Sequence, residues 1–402
     1  MSSTPFTTET VRVLLALQRR ATTAYSSRVR RHRGKAKSIL VFSVSLMKLL
    51  AIRLRLSKAP AKSLLMCLCG VLFLSACGKE PLYQEESYVF GTRVEVTIYG
   101  DDETHAKAAI ASVMHEFQRL HDLLHAWKPS ELSALNTAIA QGKGREVSPE
   151  VAAMLQDAAR VSAQSDGLFN PAIGGLIQAW GFQADEFKAE LPDANKIAAL
   201  VQVNPQMSDL VFKGSEVRSK NRAVQLDLGG YAKGYALDRA AILLKQQGIH
   251  NALINIGGNV LALGQHGSRP WRVGIQNPRK PGPLATLELR DGEAIGTSGD
   301  YQRFFEFNSK RYCHLIDPRS GYPAQGVQAV TILTHGEHAG LLSDGASKPL
   351  FISGTTGWLA AANRMQLDEA LLIDADGVVH LTATLQKRLE FTDKSTVRKV
   401  EP

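Results

Sequence analysis

The chain's pattern predicts an α+β fold, a single domain with a largely antiparallel mixed sheet flanked by helices. Helical periodicity dominates up to about residue 180, whereas short strands separated by glycine or Asn-Ser turns dominate from Asp209 onward. Nowhere do strands and helices alternate in the regular β-α rhythm that builds a parallel sheet.

The elements follow in order. "SYVFGTRVEVTIYG" (87–100) alternates as a strand does. Next, Ile110, Val113, Met114, Phe117, Leu120 and Leu124 keep the 3.6-residue repeat of a buried helix face behind Asp101 or Asp102 as cap, and Trp127-Lys128-Pro129 ends it. Ser148-Pro149-Glu150 opens a second helix, a capping hydroxyl followed by proline where its missing N–H costs nothing, and the helix runs to about Gly167. A third is expected from Asn170-Pro171 to Trp180. "VFKG", "RAVQLDL", "NALINIGG", "WRVGIQN", "RFFEFNSKRYCHLIDP" and "VQAVTIL" read as strands. Between the second and third of them, residues 229–248 form a helix closed by Gly248. The last hairpin, "EALLIDADGVVHLTATL", turns at Asp376-Gly377. With no internal repeat and no low-complexity linker, one domain accounts for the body.

The formal charge of +9 over 402 residues would invite a polyanionic partner. Residues 1–76, however, hold 14 of the 47 basic residues and one acid, Glu9, leaving 33 basic against 37 acidic residues in the body. A nucleic-acid footprint is therefore excluded. The basic segment has the form of an export signal. Lys48, Arg53, Arg55, Lys58 and Lys62 precede the apolar run Leu64 to Leu74, which is too short to span a bilayer. It ends in Leu74-Ser75-Ala76-Cys77, which resembles a bacterial lipoprotein box with Cys77 as the lipidated residue. Met47 opens a signal of ordinary length, so Met1 and Met47 are both candidate starts, residues 1–46 being an over-extended start in the second case. The expected organisation is a leader and signal at 1–76, a tether at 77–86, a single folded domain at 87–390 and a tail at 391–402. Cys67 and Cys69 depart with the signal and Cys313 stands alone, so neither a disulfide nor a zinc cluster is expected.

Several familiar chemistries are missing. Gly229 and Gly234 have phosphate-loop spacing, but Tyr235 follows where lysine is needed, and "HEFQR" puts Arg119 where a zinc-protease helix has its second histidine. His121 and His125 share a helix face, for which a polar surface is the simpler account. Three glycine-rich strand ends remain. "LDLGGYAKGYALD" (226–238) leads into a helix through Gly229 and Gly230, which let backbone N–H groups approach an anion while Lys233 adds charge. "NIGGN" (255–259) and "GTSGDY" (296–301), with the hydroxyls of Thr297 and Ser298, expose further backbone. Together they point to a pyrophosphate-sized ligand, with Trp127, Trp180 and Phe182 available to stack on flat rings.

"WKPSELSALN", "GLFNPAIGGLIQAWGF", "LDLGGYAKGYALD", "ALINIGGN" and "GTSGDYQRFFEFNSKRYCHLIDPRSGYP" resemble, in order, the successive motifs of the FAD:protein FMN transferase (ApbE-type) family over about residues 87–383. The resemblance implies an envelope enzyme, anchored through Cys77 and facing the periplasm. It would split FAD, move FMN onto a threonine or serine hydroxyl of a partner redox protein and release AMP. Inner and outer membrane both remain open for it. By position the family implies flavin contacts from Phe90, Trp127 and Trp180-Gly181-Phe182, FAD contacts from Asp227, Lys233 and Ile316, and His314 as base. An imidazole suits a hydroxyl attacking phosphorus because its pKa lies near neutrality. FAD hydrolysis by water and simple flavin binding without catalysis are the alternatives.

The stretch "SDGASKPLFISG" (343–354) departs from the family, whose members show A-D-x-x-x-T-A there. The resemblance implies Mg2+ held by the acid, Asp344, by a hydroxyl and by the Gly230 carbonyl. Lys348 stands in the threonine's place, with Ser347 beside it as an alternative oxygen ligand. Either Mg2+ is retained by Asp344, Ser347 and Gly230, or cation duty has passed partly or wholly to Lys348; the second is the expectation. Pro349 biases Lys348 away from helical geometry, so Ser347 is expected to cap a new helix and a simple (i, i+4) pair between Asp344 and Lys348 is not.

Overall fold

The computed structural model describes residues 81–401 apart from residue 185. The signal, Cys77, both candidate start methionines and the first residues of the expected tether lie outside them. No described helix is long and apolar enough to cross a membrane.

The stretch 87–100 is a hairpin and not one strand. β1 (Leu82–Val89) turns through Phe90 and Gly91, both at positive φ (56° and 67°), into β2 (Thr92–Tyr99). A tight two-residue hairpin turn needs that geometry, and a bulky residue rarely adopts it, which is why the turn went unread. The tether is correspondingly shorter than expected, because Leu82 to Glu86 already pair in the sheet. α1 (Glu103–Leu123) begins at Asp102, whose carboxylate accepts from the N–H groups of Thr104 and His105, and buries Ile110, Val113, Phe117 and Leu120 of the predicted stripe, with Met114 half-buried. α2 (Glu131–Ala140), unpredicted, opens on a reciprocal Ser130–Ser133 capping box. β3 (Arg145–Glu146) precedes α3 (Pro149–Gln164), capped by Ser148 as expected.

The next two expectations need correction. α4 (Gly174–Ala179) starts four residues late, because Asn170 uses its side chain on the Ala172 N–H and the Gly174 N–H bonds the Gln225 carbonyl. Residues 222–228 form no strand; Gln225 makes one isolated bridge to Ile173, and Leu226 is held by the Asn136 side chain. Backbone partners are thus supplied by loops and a side chain where a ladder was expected. α5 (Ala194–Val203) was also unread. β4 (Leu210–Lys213) and β5 (Glu216–Ser219) join β3 in a small sheet, and α6 (Ala232–Gln246) follows.

The remaining elements are β6 (Ala252–Ile256), β7 (Asn259–Leu263), β8 (Trp271–Gln276), β9 (Pro283–Leu289), β10 (Ala294–Gly299), β11 (Phe304–Phe307), β12 (Lys310–Cys313) and β13 (Val327–Thr334). After them come α7 (Ala339–Gly345), α8 (Ser347–Arg364, broken at Gly354), β14 (Ala370–Asp374), β15 (Val379–Thr382), α9 (Ala383–Gln386), β16 (Glu390–Phe391) and β17 (Arg398–Glu401). Nine strands form the main sheet in the order β1-β2-β6-β7-β10-β13-β14-β15-β17, which is also their order along the chain. Every neighbouring pair is antiparallel except β15 and β17. Within the stretch expected as a tail, β17 pairs with β15 and supplies the last strand of the main sheet.

Both faces of the sheet are covered. Val94, Val96 and Ile98 of β2 pack with Ile110, Val113 and Phe117 of α1 in the largest core cluster. In β13, Val330 and Ile332 meet Phe351 and Trp358 of α8, while Ala329 and Leu333 join Trp271 and Leu287 from the β8–β9 hairpin. A strand sandwiched in this way reads as a continuous apolar run, as "VQAVTIL" does.

Candidate functional site

A cavity of about 840 Å3 opens where the β1–β2 turn, the end of α1, the loop before α4, the start of α6, the end of β12 and α8 converge. That volume lies within the ~300–1,000 Å3 range of small-molecule sites. Phe90, Trp127, Phe182, Asp227, Gly230, Lys233, His314, Ile316 and Lys348 all line it. His121 and His125 line it too, which corrects their reading as a polar surface; their rings lie 5.1 Å apart between Phe90 and Trp127.

The β11–β12 hairpin positions His314. Its Asn308-Ser309 turn, both residues left-handed, sets a register in which Phe304 faces Cys313, so Arg303 and His314 flank the open end side by side. The His314 ring Nδ1 lies 3.2 Å from the Arg303 carbonyl. A carbonyl only accepts, so Nδ1 carries the hydrogen and Nε2 keeps its lone pair. Burial, reinforced by the charges of Arg303, Lys233 and Lys348, pushes the imidazole pKa down to about 3. His314 is therefore neutral at any physiological pH. The adjacent Cys313 is a buried thiol, pushed up to about 12 chiefly by that burial, and is inert.

The opposite charge sits under Lys348. α7 runs into α8 through Ala346, which has right-handed helical geometry (φ −80°, ψ −16°), so Asp344 and Lys348 are one turn apart on nearly continuous helix. The (i, i+4) pair that Pro349 was expected to prevent is made, with Nζ 2.7 Å from Asp344 Oδ1. Ser347 is not an N-cap. Its hydroxyl donates to the Asp344 carbonyl (2.8 Å), as does Lys348 Nζ (2.7 Å), and these side chains satisfy a carbonyl left over at the junction. Asp344 is 2 % exposed, with Lys233 Nζ at 3.4 Å from Oδ1 and the Gly234 N–H donating to Oδ2 at 3.0 Å. Burial alone would raise its pKa, but the two ammonium groups hold it below the usual carboxylate range. Burial likewise lowers Lys348, with Asp344 opposing that shift.

This donor set does not fit Mg2+. A divalent ion needs about six oxygens at ~2.0–2.1 Å, and both Asp344 oxygens are already engaged. Ser347 Oγ is committed to Asp344 O and Ser298 Oγ. The Lys348 stem lies on Gly230 so closely that an added Cβ there would be 2.8 Å from Cε. A doubly charged ion about 4 Å from an ammonium would be repelled by about 8 kcal/mol at an effective dielectric constant of about 20. The cluster of Asp101, Asp102 and His105 lies outside the cavity wall, with Asp102 occupied as the α1 cap.

Other predicted contacts stand behind the wall. Trp180 is buried, donates from Nε1 to the Gly321 carbonyl (2.8 Å) and stacks on Tyr312, so it supports the site and does not face a ligand. Gly181 makes the left-handed turn (φ 76°) that brings Phe182 to the cavity. Thr297 bonds Thr331 inside the sheet, and Ser298 bonds Ser347. Arg303, Lys128, Phe169 and Phe187 line the cavity without having been singled out. Arg303 was legible in "DYQRFFEF" as a cation entering a strand close in sequence to the histidine.

An unprotonated imidazole, the basic side chains of Arg303, Lys233 and Lys348, and aromatic walls share one cavity, which has the make-up of a small-molecule site open to an anionic ligand. The comparisons with known proteins narrow that class, and the chain belongs to the ApbE family, whose model matches residues 90–372. It is 43% identical over 324 residues, 81% of its length, to a FAD:protein FMN transferase of Rhodobacter capsulatus, and spans 61% of that relative. Another FAD:protein FMN transferase, of Treponema pallidum, is 31% identical over 81% of this chain and 94% of its own. Among solved structures, an ApbE protein of Thermotoga maritima superposes with a TM-score of 0.71 at 26% identity, covering 77% of this chain and 99% of the other. The flavinyl transferase ApbE of Pseudomonas stutzeri gives 0.67 at 27% identity, covering 78% and 98%.

Proposed function

We propose that this protein takes FAD, transfers its FMN half to a threonine or serine hydroxyl of a partner redox protein, and releases AMP. The observation that carries this reading is the placement of His314, with a free Nε2 lone pair in the cavity beside Arg303 and across from Lys233 and Lys348. The relatives bearing this activity by name support it. The acceptor oxygen attacks the phosphorus on the FMN side and passes its proton to Nε2; the P–O bond to AMP breaks and its electron pair leaves with the AMP phosphate. Phe90, Trp127 and Phe182 offer faces for the isoalloxazine or adenine rings. The start of α6 adds the positive end of a helix dipole, its Ala232, Gly234 and Tyr235 N–H groups being bonded within the protein.

The test is incubation with FAD and solubilised membranes from cells lacking the gene. A band with covalent flavin fluorescence and an equal yield of AMP is expected. Free FMN with AMP would make the protein a pyrophosphatase, and bound intact FAD would make it a binder. His314→Ala should lower transfer by about 10²–10⁴-fold while FAD binding persists, and full transfer by that variant would refute its role. The reading extends to a periplasm-facing lipoprotein anchored at Cys77, for which mass spectrometry of the mature N-terminus should find a diacylglyceryl cysteine; an intact Ala76–Cys77 bond would end that part of it.

A further inference from the structure

We infer that the Lys348 ammonium, seated on Asp344 and backed by Lys233, does the work of a divalent metal ion, so that flavin transfer by this protein needs none. The inference rests on the flavin-transfer reading and deepens it.

Three features of the geometry lead here. Asp344 is the buried carboxylate beneath the cavity, and its Oδ1 is bonded by Lys348 (2.7 Å) and approached by Lys233 (3.4 Å) while its Oδ2 takes the Gly234 N–H. It acts as a counter-ion that fixes two ammonium groups in a site that would otherwise expel them. Second, Lys348 donates to both Oδ1 and the main-chain carbonyl of Asp344, which pins the ammonium to one place. Of its three N–H groups that leaves one for a ligand in the cavity its side chain lines. Third, the missing side chain at Gly230 makes room for the lysine stem, where a Cβ would come within 3.0 Å of Cδ and 2.8 Å of Cε. Glycine is needed there for the lysine to reach across.

The step balances without a metal. The acceptor O–H loses its proton to His314 Nε2, the new P–O bond forms, and the bond to the AMP phosphate breaks with the electron pair leaving on AMP. The developing negative charge on that leaving phosphate is met by Lys348 and Lys233, fixed donors that need no reorganisation. A lysine acts here as a compact point charge, and its orientation comes from Asp344.

The experiment uses the full chain in detergent, stripped with EDTA and desalted, with Mn2+ and FAD as probes. Electron paramagnetic resonance should show Mn2+ remaining free at stoichiometric concentration with or without FAD, and the FAD dissociation constant should change by less than about twofold between excess EDTA and millimolar Mg2+. Transfer in excess EDTA should match transfer in Mg2+ to within about twofold. Lys348→Thr should then bind Mn2+, and its transfer should become EDTA-sensitive by more than about tenfold. Asp344-dependent Mn2+ binding by the wild type, or its loss of transfer in EDTA with recovery in Mg2+, would overturn the inference. If no transfer occurs under any condition, the functional reading fails, while Mn2+ binding and the ion dependence of FAD affinity still decide the identity of the cation.

Discussion

Replacing Lys348 by methionine keeps the stem that rests on Gly230 and removes the charge, so it isolates what the ammonium does for Asp344. The carboxylate is 2 % exposed and would retain Lys233 at 3.4 Å and the Gly234 N–H at 3.0 Å. Deleting one partner of a buried ion pair costs ~3–5 kcal/mol, and the surviving lysine places Lys348→Met near the lower end, about 3 kcal/mol. Adding Asp344→Asn removes the stranded charge yet leaves an acceptor for Gly234, so the double variant should regain about 2 kcal/mol of the loss. Urea unfolding followed by tryptophan fluorescence measures all three proteins. The loss also has a pH signature. A carboxyl held below its ordinary value contributes stability that is present above its unfolded pKa of about 3.9 and lost as pH falls through the folded value. The gap between wild type and Lys348→Met should therefore be widest near neutrality and close below about pH 4. A loss under about 1 kcal/mol, or a double variant no more stable than the single, would refute the ion-pair account.

Gly234→Ala would drive a Cβ to 2.4 Å from the Gly340 carbonyl and 2.7 Å from Leu341 Cα, prying α6 from α7 at the Asp344 contact; a stability loss of about 3 kcal/mol in urea is expected, because backbone cannot yield as a side-chain tip can. Trp180→Phe should cost about 1 kcal/mol through the lost bond to Gly321 yet leave FAD affinity within about twofold, whereas a large affinity loss in fluorescence titration would return Trp180 to the ligand. The acid limb of kcat/KM for transfer should lie well below 6.5, because burial and the neighbouring cations keep His314 neutral down to about 3. The same shift makes stability fall between pH 6.5 and about 3, where the unfolded chain binds the proton and the folded one resists it; a limb at an ordinary histidine pKa in the free enzyme would contradict the geometry.

The elements legible in the sequence are those whose signal is local. α1 announced itself by apolar spacing behind Asp101 or Asp102, and α3 by Ser148 as cap with Pro149 in the first turn. The β11–β12 turn at Asn308-Ser309 and the α6 stop at Gly248 rest on residues that tolerate left-handed backbone. Illegible were features whose partners are distant. Residues 222–228 look like a strand in composition, yet their partners are Asn136 and the 171–173 loop. Phe90 turns left-handed because the paired strands on either side impose it. Trp180 has the aromatic face a flavin wants, but the chain that folds over it supplies Gly321 and Tyr312 first.

By itself the sequence determined the α+β class, the ordered motifs of the family and the oddity of a lysine where a hydroxyl was due, because periodicity, capping and motif order are properties of neighbours along the chain. Only the tertiary structure decided what that lysine does. Whether Asp344 faces an ion or an ammonium depends on the packing of α6 against α7, on a helix that continues past Ser347, and on a glycine at 230 that leaves room for the stem. Electrostatic pairing falls off over a few ångströms in space, and spacing along a chain does not encode that distance.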